Sequence, residues 1–171
     1  MEELVFERLD PRNADQCNLF HDLMVEYDAE LGDLEKIPGI SDPKAFVEKW
    51  IRSIIDKQGP SDRHLELCFS GENPVGFLYG KLDHPEHRGY IRPGWGYVME
   101  FYVRPSFRRQ GCGTEMYARL ERMLRADGAQ NLYLTADTQA AALFWQAMGF
   151  ANSHQKSPEN DMDIFEKRVS L

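Results

Sequence analysis

The order strand, basic turn, helix is compressed into Tyr97-Val98-Met99-Glu100-Phe101-Tyr102-Val103-Arg104-Pro105-Ser106-Phe107-Arg108-Arg109-Gln110-Gly111-Cys112-Gly113, and this stretch limits the fold more than any other. Tyr97 to Val103 is rich in aromatic and β-branched residues and reads as a buried strand. Pro105 ends it, since proline donates no ladder hydrogen bond and restrains its predecessor. A helix is expected from about Thr114, with Met116, Tyr117, Leu120, Met123 and Leu124 on one face. On its other face, Glu115/Arg119 and Glu121/Arg125 are spaced as supporting ion pairs, and Gly128 is a natural stop. Unpaired N–H groups and the positive dipole end at such a helix start favour an anion. Arg104, Arg108 and Arg109 would add charge-assisted hydrogen bonds. Gly111 and Gly113 lack the Cβ that would hold a ligand off the backbone. The turn therefore reads as a phosphate cradle.

Two common phosphate motifs fail here. The Walker pattern needs a lysine that is missing before Thr114, and the dinucleotide fingerprint needs glycine where Met116 stands. Arg108-x-x-Gly111-x-Gly113, placed after a strand ending Tyr102-Val103-Arg104-Pro105, instead resembles the acyl-CoA signature of the GNAT superfamily of N-acetyltransferases. Downstream, Asn131 to Thr135 reads as a strand and Gln139 to Met148 as a short helix. That helix holds Ala142-Leu143-Phe144-Trp145-Gln146-Ala147-Met148-Gly149-Phe150, which resembles the family's second motif. The two motifs cover residues 97–150.

The resemblance implies an α/β (α+β) fold. Its central sheet is mixed, mostly antiparallel and of about seven strands, with a splay between the fourth and fifth and about four flanking helices. It also implies acetyl-CoA as acyl donor, a primary amine of a small molecule or peptide as acceptor, and direct attack in a ternary complex. The strand before the phosphate turn would carry a bulge, and the pantetheine arm would enter the splay. By resemblance, Phe101, Tyr102 and Val103 would pair through their backbone with that arm, one N–H (Tyr102 being the candidate) facing the thioester oxygen. Arg108, Arg109, Gln110, Gly111, Cys112, Gly113 and Thr114 would hold the pyrophosphate, with Ala142 and Trp145 also against the cofactor. Homodimers are frequent among such proteins.

The remaining chain agrees with one domain over residues 1–171. Leu4 to Leu9 alternates as a strand. Asn13 and Gln16 form a capping pair for a helix through Leu19, Phe20, Leu23, Met24 and Tyr27. Asp28 to Glu35 carries four acids and no base, and reads as a loop. Asp42-Pro43 opens a second helix holding Phe46, Val47, Trp50, Ile51, Ile54 and Ile55. His64 to Ser70 and Val75 to Leu82 read as a hairpin, and Phe150 to Gln155 with Met162 to Arg168 as a closing one. No apolar run reaches the ~20 residues of a membrane helix. Three scattered cysteines (Cys17, Cys68, Cys112) speak against a disulfide framework and for a reducing, cytoplasmic setting. The net charge of −8 disfavours non-specific nucleic-acid binding and is compatible with a cationic acceptor. His84-Pro85-Glu86-His87 lacks a third ligand, so no metal is expected.

Amide formation from a thioester needs a neutral amine, and a lysine-like amine resists this by roughly 4–5 kcal/mol at neutral pH. Glu100, the one carboxylate within the Tyr97–Val103 strand, is the candidate general base. Trp145 stands where many relatives have a tyrosine that protonates the leaving thiolate; an indole has no proton to give. Packing against the core or the pantetheine is the expectation for it. Asp33 and Glu35 of the acidic segment are candidate acceptor contacts that would select a basic amine. Asp137 is a candidate cofactor contact. The helix start would make the Cys112 thiol more acidic. A non-catalytic acyl-CoA-binding domain, suggested by Trp145, is the alternative from another class, and a nucleotide-binding module is the weaker one.

Overall fold

A computed structural model describes residues 2–32, 39–86, 91–136 and 138–169. The elements run β1 (Leu4–Arg8), α1 (Ala14–Leu31), α2 (Pro43–Asp56), β2 (Arg63–Ser70), β3 (Asn73–Leu82), β4 (Gly96–Val103), a 3-10 turn (Pro105–Phe107), α3 (Cys112–Ala126), β5 (Asn131–Ala136), α4 (Gln139–Ala147), β6 (Ala151–Lys156) and β7 (Asp163–Arg168). The strands form one seven-stranded sheet, ordered β1-β2-β3-β4-β5-β7-β6. All neighbours are antiparallel except β4 and β5, which are parallel and paired only at Gly96↔Leu132 and Tyr97↔Tyr133. Past Tyr97 the two strands diverge, which is the expected splay.

Side-chain alternation along the strands builds a core on each face. On one face, Phe77, Tyr79 and Tyr102 pack with Phe20, Leu23 and Met24 of α1 and Val47, Ile51 and Ile54 of α2. On the other, Val75, Leu78 and Val98 pack with Met116, Leu120 and Leu124 of α3 and Trp145 of α4. Helix α1 is capped by Asn13, whose side chain accepts from Asp15 and Gln16 N–H. Gln16 does not return the bond to Asn13 but takes the Asp10 N–H at 2.8 Å, so the capping pair is one-sided. Asp42 caps α2 through the Ala45 N–H, with Pro43 in the first turn.

Several expected details change. The segment from Asp28 is not loop at its start: α1 continues to Leu31 and ends at Gly32, whose φ of 60° glycine tolerates. Asp33 to Glu35 lie outside the described residues. Helix α3 starts at Cys112, two residues earlier than expected. Its charged residues bond across the fold: Arg119 to Glu66 of β2, and Glu121 to Lys167 of β7 at 2.5 Å. In α2, Val47, Ile51 and Ile54 are buried, whereas Phe46 is 42% exposed.

Asp83, fully buried after β3, organises the approach to β4. It accepts from Tyr133 Oη at 2.6 Å and from the Ile91 and Arg92 N–H groups, and pairs with Lys81 at 3.2 Å. Burial pushes its carboxyl upward, but these donors more than offset that and leave it below the usual range. β3 and β4 also approach too closely for a side chain at Gly76, where a Cβ would lie 1.9 Å from the Tyr102 carbonyl oxygen. Gly76→Ala should therefore displace β4 and destabilise the protein by about 2–3 kcal/mol, measured as a lower urea midpoint with an unchanged slope.

Candidate active site

The expected bulge lies in β4. Tyr79 faces Glu100 but Gly80 faces Val98, so Met99 is the additional residue. The side chains show the consequence. Gly96 abuts Leu124 of α3 and Val98 packs into the same core, yet beyond the bulge it is Phe101 and Val103 that face this core. Met99 and Tyr102 meet the α1/α2 core. The phase change brings Glu100 to the α1/α2 side, where the Tyr27 side chain hydrogen-bonds its carboxyl. Strict alternation from Val98 would have aimed Glu100 at α3.

A crevice of about 810 Å³ opens along this part of the sheet. Its lower wall is the splay itself: Val98, Phe101, Leu134, Ala136, Ala141 and Trp145. Its upper end lies between α1 (Tyr27, Asp28, Leu31), α2 (Phe46, Lys49, Trp50, Ser53) with Lys57 after it, and the segment before β7 (Glu159, Asn160, Met162). Glu100 also lines the crevice. Burial raises its pKa to about 8, although the Tyr27 hydrogen bond pulls the other way.

At the phosphate turn no side chain caps α3, whose first turn follows Gly111 at φ 89°. A Cβ at Gly111 would meet nothing within 4 Å, so the space beside the backbone is open, while one at Gly113 would lie 3.2 Å from the Phe144 ring. The turn fits a pyrophosphate through main-chain donors, and Arg109, itself at φ 63°, has no carboxylate partner among the described residues. The other arginines are engaged elsewhere. Arg104 grips Glu26 at 2.6 and 2.9 Å. Arg108 binds both oxygens of Glu30 at 2.7 and 2.8 Å and donates to the Val103 carbonyl oxygen. Both clamp the phosphate turn to α1. Gln110 donates to the Ser106 carbonyl oxygen at 2.7 Å, and Thr114 is exposed.

Tyr102 is divided between its two parts. Its hydroxyl donates to Glu30 at 3.0 Å, away from the splay, and burial with these acids raises its pKa. Only its backbone belongs to the β4 edge, in keeping with the role the family resemblance implies. Trp145 is buried, edge-on to Phe101, Phe144, Tyr117 and Phe150, and it lines the crevice. Ala142 packs beside it against the α3/α4 core. The expectation for Cys112 is corrected: its side chain is fully buried, and burial raises its thiol pKa more than the helix start lowers it. Asp33, Glu35, His87 and Asp137 lie outside the described residues. His84 hydrogen-bonds Asp62 at 2.5 Å.

Sequence reasoning missed Tyr27, Lys49, Ser53 and Lys57. The spacing of Tyr27 in its helix marks it simply as core. The other three share a four-residue spacing that amphipathic analysis assigns to a solvated face.

Residues 22–150 match the Acetyltransferase (GNAT) family, and the chain belongs to that family. It is an acetyl-CoA-dependent N-acetyltransferase, and a purely acyl-CoA-binding role is not favoured. Among solved structures, an acetyltransferase from Thermus thermophilus is 21% identical, with 97% of each chain covered and a TM-score of 0.69. The PaiA N-acetyltransferase from Thermoplasma acidophilum, solved with coenzyme A, is 16% identical over 98% of this chain and 99% of that one, TM-score 0.69. AAC(6')-Iy, solved with the bisubstrate analogue CoA-S-monomethyl-acetylneamine, is 15% identical over 90% and 95%, TM-score 0.64. At these identities the likeness concerns the fold. No curated protein matches the sequence. Among the described residues no helix is long and apolar enough to cross a membrane.

Two outcomes follow from the site's electrostatics and backbone. Because the folded pKa of Glu100 exceeds the unfolded one, the folded state binds the extra proton between about pH 4.5 and 8. Its stability is whole below that window and falls as pH rises through it. The thermal-midpoint advantage of Glu100→Gln should therefore be negligible near pH 4, grow by several degrees across the window, and level off above it. Gly111→Ala should cost about 1 kcal/mol of stability through the left-handed backbone and raise the KM for acetyl-CoA, read by chemical melts and initial rates.

Proposed function

We propose that Glu100 is the general base that takes the proton of a primary-amine acceptor while the acetyl thioester lies in the β4/β5 splay. The observation that carries this reading is a crevice lined both by the splay and by a carboxyl whose pKa burial raises to about 8. A base titrating close to the working pH couples a useful ionised fraction to a real affinity for the proton. Tyr27 positions the carboxyl through its hydrogen bond.

The backbone from Arg109 to Thr114 binds the pyrophosphate. The free edge of β4 from Phe101 to Val103 holds the pantetheine arm, and the Tyr102 N–H polarises the carbonyl oxygen. Acetyl-CoA supplies the activated acyl group; the protein supplies position, proton acceptance and exclusion of water. Phe101 and Trp145 form an apolar wall for the thioester end. Trp145 provides no acid, so the departing thiolate takes its proton from solvent. The whole of residues 1–171 acts as one domain on a small-molecule or peptide amine. A reducing, cytoplasmic setting agrees with three cysteines that form no disulfide.

Glu100→Gln should lower kcat/KM by about 10²-fold or more and abolish an acid limb with an apparent pKa near 8, measured by free-thiol release across pH with a responsive amine. A variant with wild-type turnover and an unchanged profile would remove Glu100 from the mechanism.

A further inference from the structure

The upper end of the crevice has two unlike walls. One carries carboxyl groups: Asp28 at the end of α1, Glu100 on β4 and Glu159 before β7. The other is a flank of α2 and its end, beside the buried Val47, Ile51 and Ile54, where the exposed Lys49, the half-buried Ser53 and the exposed Lys57 follow at intervals of four residues. Residues so spaced lie almost in one row, each about 6 Å along the axis from the last. Neither lysine has a carboxylate partner among the described residues. Trp50 stands between Lys49 and Ser53 in sequence, and with Phe46 it gives the same wall an apolar surface.

Resting on the N-acetyltransferase reading above, we propose that the acceptor is an amine that also bears an anionic group, a carboxylate or a phosphate, joined by an apolar spacer. The amine lies at Glu100, the spacer against Trp50 and Phe46, and the anion along the Lys49–Ser53–Lys57 row. Ammonium donors from the lysines and the Ser53 hydroxyl supply the charge-assisted hydrogen bonds such an anion requires. A polyamine fits poorly, because a second cation would face two lysines that have no neutralising partner among the described residues. The acids expected to select a basic amine, Asp33 and Glu35, lie outside those residues. The row is a specificity determinant, distinct from the proton-accepting carboxyl.

The test is a matched series with acetyl-CoA: ω-aminohexanoate, ω-aminohexyl phosphate, ω-aminohexanol and diaminohexane. Wild-type enzyme should favour an anionic member over its alcohol by about tenfold in kcat/KM, mostly through KM, and the advantage should shrink as salt rises. The preferred anionic arm identifies carboxylate or phosphate. In Lys49→Glu/Lys57→Glu the anionic-to-alcohol ratio should fall at least tenfold, while diaminohexane improves relative to the alcohol. Equal or greater activity with the alcohol or the diamine in wild type, or a ratio unmoved by the double substitution, overturns the proposal and leaves the acetyltransferase reading intact. Failure to acetylate any amine, with no binding of acetyl-CoA by calorimetry, overturns both.

Discussion

One additional residue in β4 governs the whole site. A regular strand would keep its hydrogen bonds to β3 in register and point Val98, Glu100 and Tyr102 to one face. With Met99 inserted opposite the Tyr79/Gly80 junction, Val98 and Phe101 share the α3 face, and Met99, Glu100 and Tyr102 turn to α1 and α2. Bulges also strengthen local twist, and β4 leaves β5 directly after Tyr97. Opening the sheet and turning the carboxyl toward it therefore arise within adjoining residues. A carboxyl thus placed is burdened by desolvation, which is the source of its basicity.

The two faces of the sheet are tied together at the phosphate turn. Arg104 and Arg108 follow β4 directly, but their guanidinium groups reach back across the sheet edge to Glu26 and Glu30 on α1. The Arg104–Glu26 pair, two nitrogens on two oxygens, is bidentate and constrains orientation as well as distance. Tyr102 joins the same cluster through Glu30. Helix α1 carries Tyr27 and Asp28 into the crevice between these anchored acids, so the residue that hydrogen-bonds Glu100 lies on a helix held by the turn between β4 and α3.

Much of this was legible from the sequence. The aromatic strand, its proline stop, the basic glycine turn and the helix after it appear in order, because propensity, φ preference and periodicity are local properties. The Ala142–Phe150 segment extended that reading to a family whose match covers residues 22–150. Less legible were features that depend on distant partners. Arg119 and Glu121 had good neighbours in their own helix but bond to Glu66 and Lys167. Cys112 stands at a helix start, where the dipole favours a thiolate, yet its burial among core residues dominates. Phe46 looked like a core position but is exposed, and Trp50 packs against the α1/α2 core while both line the crevice.

The sequence by itself determined the elements, the splayed sheet through its family motifs, the glycine-containing turn before α3 and the identity of the one carboxylate in the central strand. Each rests on interactions within a few residues or on a pattern shared with a known family. Tertiary structure alone decided which way that carboxylate points, how burial moves its pKa, which partners Arg104 and Arg108 take, and that Lys49, Ser53 and Lys57 line the same crevice. These depend on strand register, burial and cross-chain charge, and none of the three is encoded in the spacing of residues along the chain.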